Sequence, residues 1–405
     1  MGEADVKSSI VRLPFDRRAR RIEAFHPLMR GYIEEAIGDS RPMEDLAESF
    51  PGLLFALSTG YARATDRRRT RDLVESGAPL RTAAGMLGIP YWLKRLPAQA
   101  FLEPLGRLPM GTDFAEKVGS FIPQDAEAAR TWLWTVTAAN EACSEDFALW
   151  AAAHAAKNTR ALNQGRGEDI FLLVAAWAWH ADHPSTPGHR LLRKPWVPTM
   201  GFRRAMEEMQ IWHQRIALAE CIAGQTGQRW PREGAALGFE FHALDTAEDL
   251  VAESDKMDNC LDQYAGRLKL GRSRIYSVRR NGLHVADVEI GMHEEEASMP
   301  GIRQLRGPRN RRAAPQIWQA AYAWLGQQPL RPLVKGTRAV QEARVRAVRA
   351  AFWAPYLSAV AGTASARRIR DIVLGLQDPA PERRAKRAAQ RPATARTRAR
   401  GDVVA

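Results

Sequence analysis

The stretch Arg274-Ile275-Tyr276-Ser277-Val278-Arg279-Arg280-Asn281-Gly282-Leu283-His284-Val285-Ala286-Asp287-Val288-Glu289-Ile290 decides the fold. Two runs rich in β-formers flank Asn281-Gly282, the dipeptide best suited to the two positive φ angles of a type I′ hairpin turn. A two-residue loop fixes the register. Position 279 faces 284, and strict alternation then sets 277 opposite 286 and 275 opposite 288. Arg279 and His284 thereby share a face with Ile275, Ala286, Val288 and Ile290, while Tyr276, Val278, Leu283 and Val285 take the other. Both faces are partly apolar, so helices or loops are expected to cover both.

Working outward, Phe239 to Leu244 is a short β-forming run that Asp245 and Thr246 end. Thr246 followed by Asp249 is a capping-box variant, and it opens a helix whose apolar side is Leu250, Val251 and Met257. A second helix is expected over Asn259 to Leu268, with Cys260, Leu261, Tyr264 and Leu268 on one face and Gly271 as its stop. Beyond the hairpin comes an acidic excursion at Glu294 to Glu296. Gly301 to Arg306 then reads as a third strand, ended by Gly307-Pro308. Pro315 starts a helix at the position where its missing N–H costs nothing, and Ile317, Ala321, Trp324 and Leu325 line one side of it. The expected module, residues 234–328, is helix, hairpin, strand, helix.

The residues of this module resemble a known family. Met257, Cys260 and Tyr264, then a hairpin, then Gln304-Leu305-Arg306-Gly307 with Asn310, and a Trp-bearing helix, are similar to the PcfJ-like family linked to conjugative plasmids and other mobile elements. Further points of resemblance are Gly88-Ile89-Pro90-Tyr91-Trp92-Leu93-Lys94-Arg95-Leu96-Pro97, Pro195-Trp196-Val197-Pro198 with Trp212-His213, and Phe352-Trp353-Ala354-Pro355-Tyr356. Together they span roughly residues 40 to 360. Where the family usually reads His-Cys-Val-Gly, this chain has Asn259-Cys260-Leu261-Asp262. The resemblance implies an accessory protein of a mobile element and no particular reaction.

The rest of the chain reads as mainly α. Residues 1–230 carry helical periodicity in 22–37, 43–57 and 126–162. Ile89-Pro90, Leu96-Pro97, Leu108-Pro109 and Ile122-Pro123 form a quasi-repeat in which each proline starts a short helix and stops the previous one. Trp132, Trp134, Trp150, Trp177 and Trp179 lie in apolar helical runs and fit a core better than a set of base-stacking platforms. His180, Asp182, His183 and His189 form the densest histidine group, but Pro184 and Pro187 follow at once and the spacing fixes no third ligand, so no metal is expected. Phe202 to Ile222 is one more amphipathic helix. A domain boundary is expected in the turn-rich 224–234 stretch.

Composition bounds the function. The chain has 405 residues and is 45% hydrophobic, long enough for two or three domains. Met1 to Arg21 is polar, and the longest apolar run, Ile170 to Trp179, is about half of the ~20 residues that span a bilayer. No membrane partner is expected, and a cytoplasmic location is. Cys143, Cys221 and Cys260 lie far apart, which supports neither a disulfide framework nor a zinc finger. No P-loop, dinucleotide fingerprint, HExxH or GxSxG occurs, so no cofactor is expected.

Charge is concentrated at one end. Residues 331–405 hold 17 Lys and Arg against 5 Asp and Glu, a net +12 out of the chain's +13. Residues 331–378 read as basic C-terminal helices, with 341–352 and 366–376 periodic. Residues 379–405, with Arg383, Arg384, Lys386 and Arg387, bury too little apolar area to order and are expected to be a disordered tail. Such an arm suits sequence-independent contact with nucleic acid, or acts as a solubilising segment or a dock for an acidic protein partner.

Within the module, Cys260 is the candidate nucleophile. It needs a helix N-terminus, which Asp258 or Asn259 would cap, or a base such as His284 or His242; otherwise it is an inert core thiol. Tyr264, Arg279, Gln304, Arg306 and Asn310 are candidate binding residues, the polar ones as donors to an anionic group. The alternative is that Arg303, Arg306, Arg309, Arg311 and Arg312 make a solvated basic loop. A non-enzymatic nucleic-acid-binding accessory protein, a cysteine-dependent enzyme and a protein-interaction scaffold are therefore all open.

Overall fold

The computed structural model describes residues 15–157, 167–223, 230–268, 273–292, 299–332 and 338–375. Glu294 to Glu296, residues 224–229 of the turn-rich stretch, and the 379–405 tail lie outside them. The chain is mainly helical with an α+β module toward the C-terminus, and it divides into two compact units: Met1–His213 with Pro355–Ala366, and Gln214–Ala354 with Arg367–Ala405. The division falls within the helix Phe202–Ala223, ahead of the turn-rich stretch.

The described part of the first unit is helical. Its prolines act partly as the quasi-repeat predicts: the short 3₁₀ turns Tyr91–Arg95 and Ala98–Ala100 start straight after Pro90 and Pro97. Tyr91–Arg95 and Val118–Phe121 stop where Pro97 and Pro123 forbid α angles in the residue before them. The helices Thr112–Lys117 and Ala126–Ala142, by contrast, start from Gly111 and Asp125 and not from a proline. Trp132, Trp150, Trp177 and Trp179 are buried. Their polar edges are satisfied where the core allows, as in Trp132 Nε1 donating to the Ala152 carbonyl at 2.9 Å.

The second unit holds an antiparallel sheet in the order β1-β2-β3-β4-β5, each strand beside its sequence neighbour. These are β1 (Gly234–Ala236), β2 (Phe239–Ala243), β3 (Ser273–Arg280), β4 (Leu283–Met292) and β5 (Pro300–Arg306). β1 was not anticipated from sequence; it is joined to β2 through Leu237 and Gly238, both at positive φ. One sheet face, with Phe241, Tyr276, Val278, Ala286, Val288, Ile290 and Leu305, packs on the helix Pro315–Gly326. There the Trp324 ring lies parallel to Phe241 at 4.4 Å. On the other face sits the helix Ala247–Met257, whose capping box is complete: Thr246 Oγ1 accepts from Asp249 N at 3.0 Å and Asp249 Oδ2 from Thr246 N at 3.1 Å.

The hairpin forms at Asn281 and Gly282, with φ of 52° and 76°, and Arg279 faces His284. Beyond that pair the strict register fails. Val278 pairs with Ala286, Ser277 with Asp287 and Ile275 with Glu289, because Val285 is an extra residue in a bulge. The expected pairs 277/286 and 275/288 are therefore absent, and Ala286, Val288 and Ile290 share the face of Tyr276 and Val278, not that of Arg279. The reason is energetic. Strict alternation would drive Asp287 and Glu289 into the aromatic side around Trp324, where an unpaired carboxylate costs several kcal/mol, on the order of 5. One unpaired ladder residue costs less. A second bulge, after Glu289, sets Ile302 opposite Ile290 where strict pairing would have brought Arg303 there.

The expected helix over 259–268 is also broken. Asp258 takes a left-handed conformation (φ 49°, ψ 52°) that ends the preceding helix, and only a turn at Leu261–Gln263 and the short helix Ala265–Leu268 come after it.

Gly282 sits at a φ that costs an L-residue about 1 kcal/mol. Gly282→Ala is therefore expected to lower the unfolding free energy by about that amount in urea titration; an unchanged midpoint would mean that the turn does not hold the register.

Candidate functional site

The bulge collects polar side chains on the sheet face that looks toward the helix Ala247–Met257. Glu253 lies on the inward side of that helix, 2% exposed, and its carboxylate meets His284 Nδ1 at 2.7 and 2.9 Å. Ser277, fully buried on β3, donates to Glu253 Oε1 at 2.8 Å and stands 3.2 Å from His284 Nδ1. Arg279 Nε donates to the same hydroxyl at 3.3 Å. The His284 ring is thus held by its Nδ1, and its Nε2 points outward to Lys256 Nζ at 3.3 Å.

Asp287 is the next member inward. It is 6% exposed and accepts from Asn259 Nδ2 at 2.7 Å through one oxygen, while its Oδ1 is buried without a donor. Burial, reinforced by the negative charge of Glu253, pushes its pKa up to about 8 despite the opposing hydrogen bond from Asn259. A retained proton resolves the geometry: protonated Asp287 can donate to Glu253, and both carboxyls are then satisfied. Farther along β4, Glu289 accepts from Ser273 Oγ at 2.9 Å.

Asn259 links this network to Cys260. Its Oδ1 accepts from Leu261 N at 3.1 Å, and its carbonyl takes the Ser254 hydroxyl at 2.7 Å. Cys260 is half-buried and receives Asn310 Nδ2 at 3.5 Å. Beside it, Arg309 Nε donates to Asp258 Oδ2 at 3.0 Å. Asp258, Arg309 and Asn310 all have positive φ, so three non-glycine residues in a costly conformation surround one thiol.

The histidines named as bases for Cys260 are engaged elsewhere. His284 binds Glu253 and Lys256, and His242 Nε2 lies 3.1 Å from Glu240 Oε2. Among the described residues no hydrogen bond joins Cys260 to a histidine, and the turn after it is three residues long, too short for a useful dipole.

Of the residues named from sequence, Arg279 enters the polar network and Asn310 meets Cys260. Gln304 and Arg306 lie on β5 opposite Glu289 and Asp287, on the same face, with Arg306 exposed. Tyr264 instead packs on the apolar cluster of Leu250, Leu261, Leu268 and Ile275. Asp262, where the family pattern has glycine, faces the buried guanidinium of Arg215 at 3.4 Å. Arg383, Arg384, Lys386 and Arg387 lie outside the described residues. In the first unit, His180 is fully buried with Nδ1 2.9 Å from Thr186 Oγ1, and burial pushes its pKa down to about 3. His183 and His189 place their Nδ1 atoms on the carbonyls of Trp179 and His180.

Sequence reading passed over Glu253, Ser277, Asp287 and Glu289. The signal was present: Glu253 interrupts the apolar stripe of its helix, and Asp287 and Glu289 alternate with apolar residues in a strand covered on both faces.

Folded Asp287 keeps its proton to about pH 8, while the unfolded chain releases it near the ordinary aspartate value of 3.8. The folded state binds the extra proton between these values. Stability should therefore fall as pH rises through that window, by up to about 1.4 kcal/mol per pH unit. Asp287→Asn, which can still donate to Glu253, is expected to remove this fall and to gain stability over the wild type as pH rises. Urea unfolding at pH 5, 7 and 9 checks it; parallel curves for the two proteins would rule it out. Compared with known proteins, the chain matches no family model, no curated sequence and no solved structure.

Proposed function

We propose that this chain is a PcfJ-like accessory protein of a conjugative or mobile element, cytoplasmic and non-enzymatic. It contacts nucleic acid through its basic C-terminal arm, with the α+β module as its second binding unit. The observation that carries this reading is the segregation of charge, net +12 in residues 331–405. Each Lys or Arg placed on a phosphate releases counterions, so such an arm binds by charge and without regard to sequence.

Local structure supports it. On the helices Arg338–Ala359 and Ala366–Gly375, Arg344, Arg346, Arg367 and Arg370 are exposed. Arg349 is different, since it pairs with Glu220 at 3.0 and 3.1 Å and with the Leu374 carbonyl, and so holds these helices in place. Arg303 and Arg306 on β5, and Arg309, Arg311 and Arg312 just after it, are all exposed. Among the described residues no helix is long and apolar enough to cross a membrane.

Affinity for duplex and single-stranded oligonucleotides, measured against salt, tests the reading. For the full chain it is expected to fall steeply with salt and to vary little with sequence. Ending the chain at residue 378 removes eight of the 17 basic residues of the arm. The plot of log K against log salt should then flatten by about 0.9 for each side chain that had sat on a phosphate. Equal affinity of the two chains at low and moderate salt would overturn the arm as the contact and favour a protein-interaction scaffold.

A further inference from the structure

Basic side chains around the hairpin's polar face fall into two groups. Arg215 pairs with Asp255 and Asp262, Arg274 with Asp245, and Arg309 with Asp258. Lys256, Arg279 and Arg306 form no ion pair with a carboxylate among the described residues; Arg306 lies opposite Asp287 on β5, and Lys256 and Arg279 flank His284. Lys256 is exposed, and its ammonium has two further N–H donors beyond the one facing Nε2. Arg279 is half-buried and tethered by its Nε to the buried Ser277, so its two terminal nitrogens keep their donors for another acceptor. Below them the Glu253 carboxylate accepts from Nδ1, which fixes the ring and turns Nε2 outward.

We infer that Lys256 Nζ, the Arg279 guanidinium and His284 Nε2 form an oxyanion site for a phosphate group. All three are donors when the imidazole is protonated. In the neutral ring Nε2 accepts from Lys256 Nζ at 3.3 Å, while Arg279 is anchored beside the ring through Ser277. A monohydrogen or dihydrogen phosphate that displaces the Lys256 contact gives its own proton to Nε2 or accepts from it, and its other oxygens take the ammonium and the guanidinium. The charged groups facing the ring are Glu253 and Lys256 from the helix, Asp287 from β4 and Arg279 from β3, with Glu240 and His242 opposite Arg279 and Ser277 on β2. The bulge at Val285 supports a built site, since it turns Asp287 inward while keeping Arg279 beside His284, and bulges recur where a side chain has to be re-aimed. This site rests on the nucleic-acid reading only for its source of phosphate.

The test uses the full chain with ¹⁵N-labelled histidine. Inorganic phosphate is expected to shift the His284 ring-nitrogen signals saturably, and a 5′-phosphorylated trinucleotide to compete for the same place where an unphosphorylated nucleoside does not. Lys256→Met and Arg279→Gln, both away from the buried carboxyls, should each weaken phosphate binding about tenfold, the worth of one charged hydrogen bond. His284→Asn, followed by equilibrium dialysis of phosphate because the reporting ring is lost, should abolish binding. Unmoved His284 signals, or phosphate affinity in both Lys256→Met and Arg279→Gln equal to that of the unmutated chain, would overturn the site. Phosphate binding at His284 without oligonucleotide binding by the full chain supports the site and overturns the nucleic-acid reading. Oligonucleotide binding with silent His284 signals overturns the site and leaves the arm as the contact.

Discussion

The phase of the apolar residues on β4 against those on β3 is the constraint on which the module depends. Tyr276 and Val278 have to meet Val288 and Ala286 if the sheet is to present one continuous face to Trp324. The two-residue turn sets the opposite phase. Asn281 and Gly282 place Arg279 on His284, and from there alternation would bring acids to the aromatic side. An extra residue at Val285 reconciles local turn chemistry with burial, and the bulge is the geometric record of that conflict.

The bulge also has a chemical consequence. The same half-period shift that delivers Ala286, Val288 and Ile290 to the core delivers Asp287 and Glu289 to the face beneath Glu253. Two carboxyls then share a dry space, which raises the pKa of Asp287 to about 8, first by burial and then by repulsion from Glu253. Ser277, Asn259 and the His284 ring supply the donors that make the burial tolerable. Removing any one of these leaves a buried acceptor unsatisfied, so the network is held together by mutual need and not by the strength of single bonds.

Much of this was legible in the sequence. The hairpin turn, the capped helix at Thr246, the proline-started helix carrying Trp324 and the short helices between prolines all obey local rules, because the residues that specify them are contiguous. The bulge was not legible, since it depends on which face Trp324 covers, and that is decided by a helix some 40 residues away. The break at Asp258 was missed for a related reason: helical spacing in 259–268 favoured a continuous helix, but the left-handed turn is held by long-range partners, Arg309 on Asp258 and Asn310 on Cys260. Cys260, Arg279, His284 and Asn310 were identified as chemically interesting, but their grouping was not. His284 serves Glu253, and Cys260 has Asn310.

The buried acids and the exposed bases are two parts of one electrostatic arrangement. A carboxylate 2% exposed cannot attract a polyanion, but it can hold an imidazole in a fixed pose and offset positive charge gathered above it. The face that meets solvent thereby carries Lys256 and Arg279 around the His284 ring although its floor is acidic, with exposed arginines on and after β5 beyond. Surface charges of this kind are screened over about 8 Å at physiological salt, so each patch acts locally. Charge alone gives attraction without a fixed pose, whereas a side chain held by buried partners keeps one position whatever the salt. The fold supplies that fixity to the His284 ring and to Arg279 through Glu253 and Ser277, two buried residues that stand beneath the exposed face.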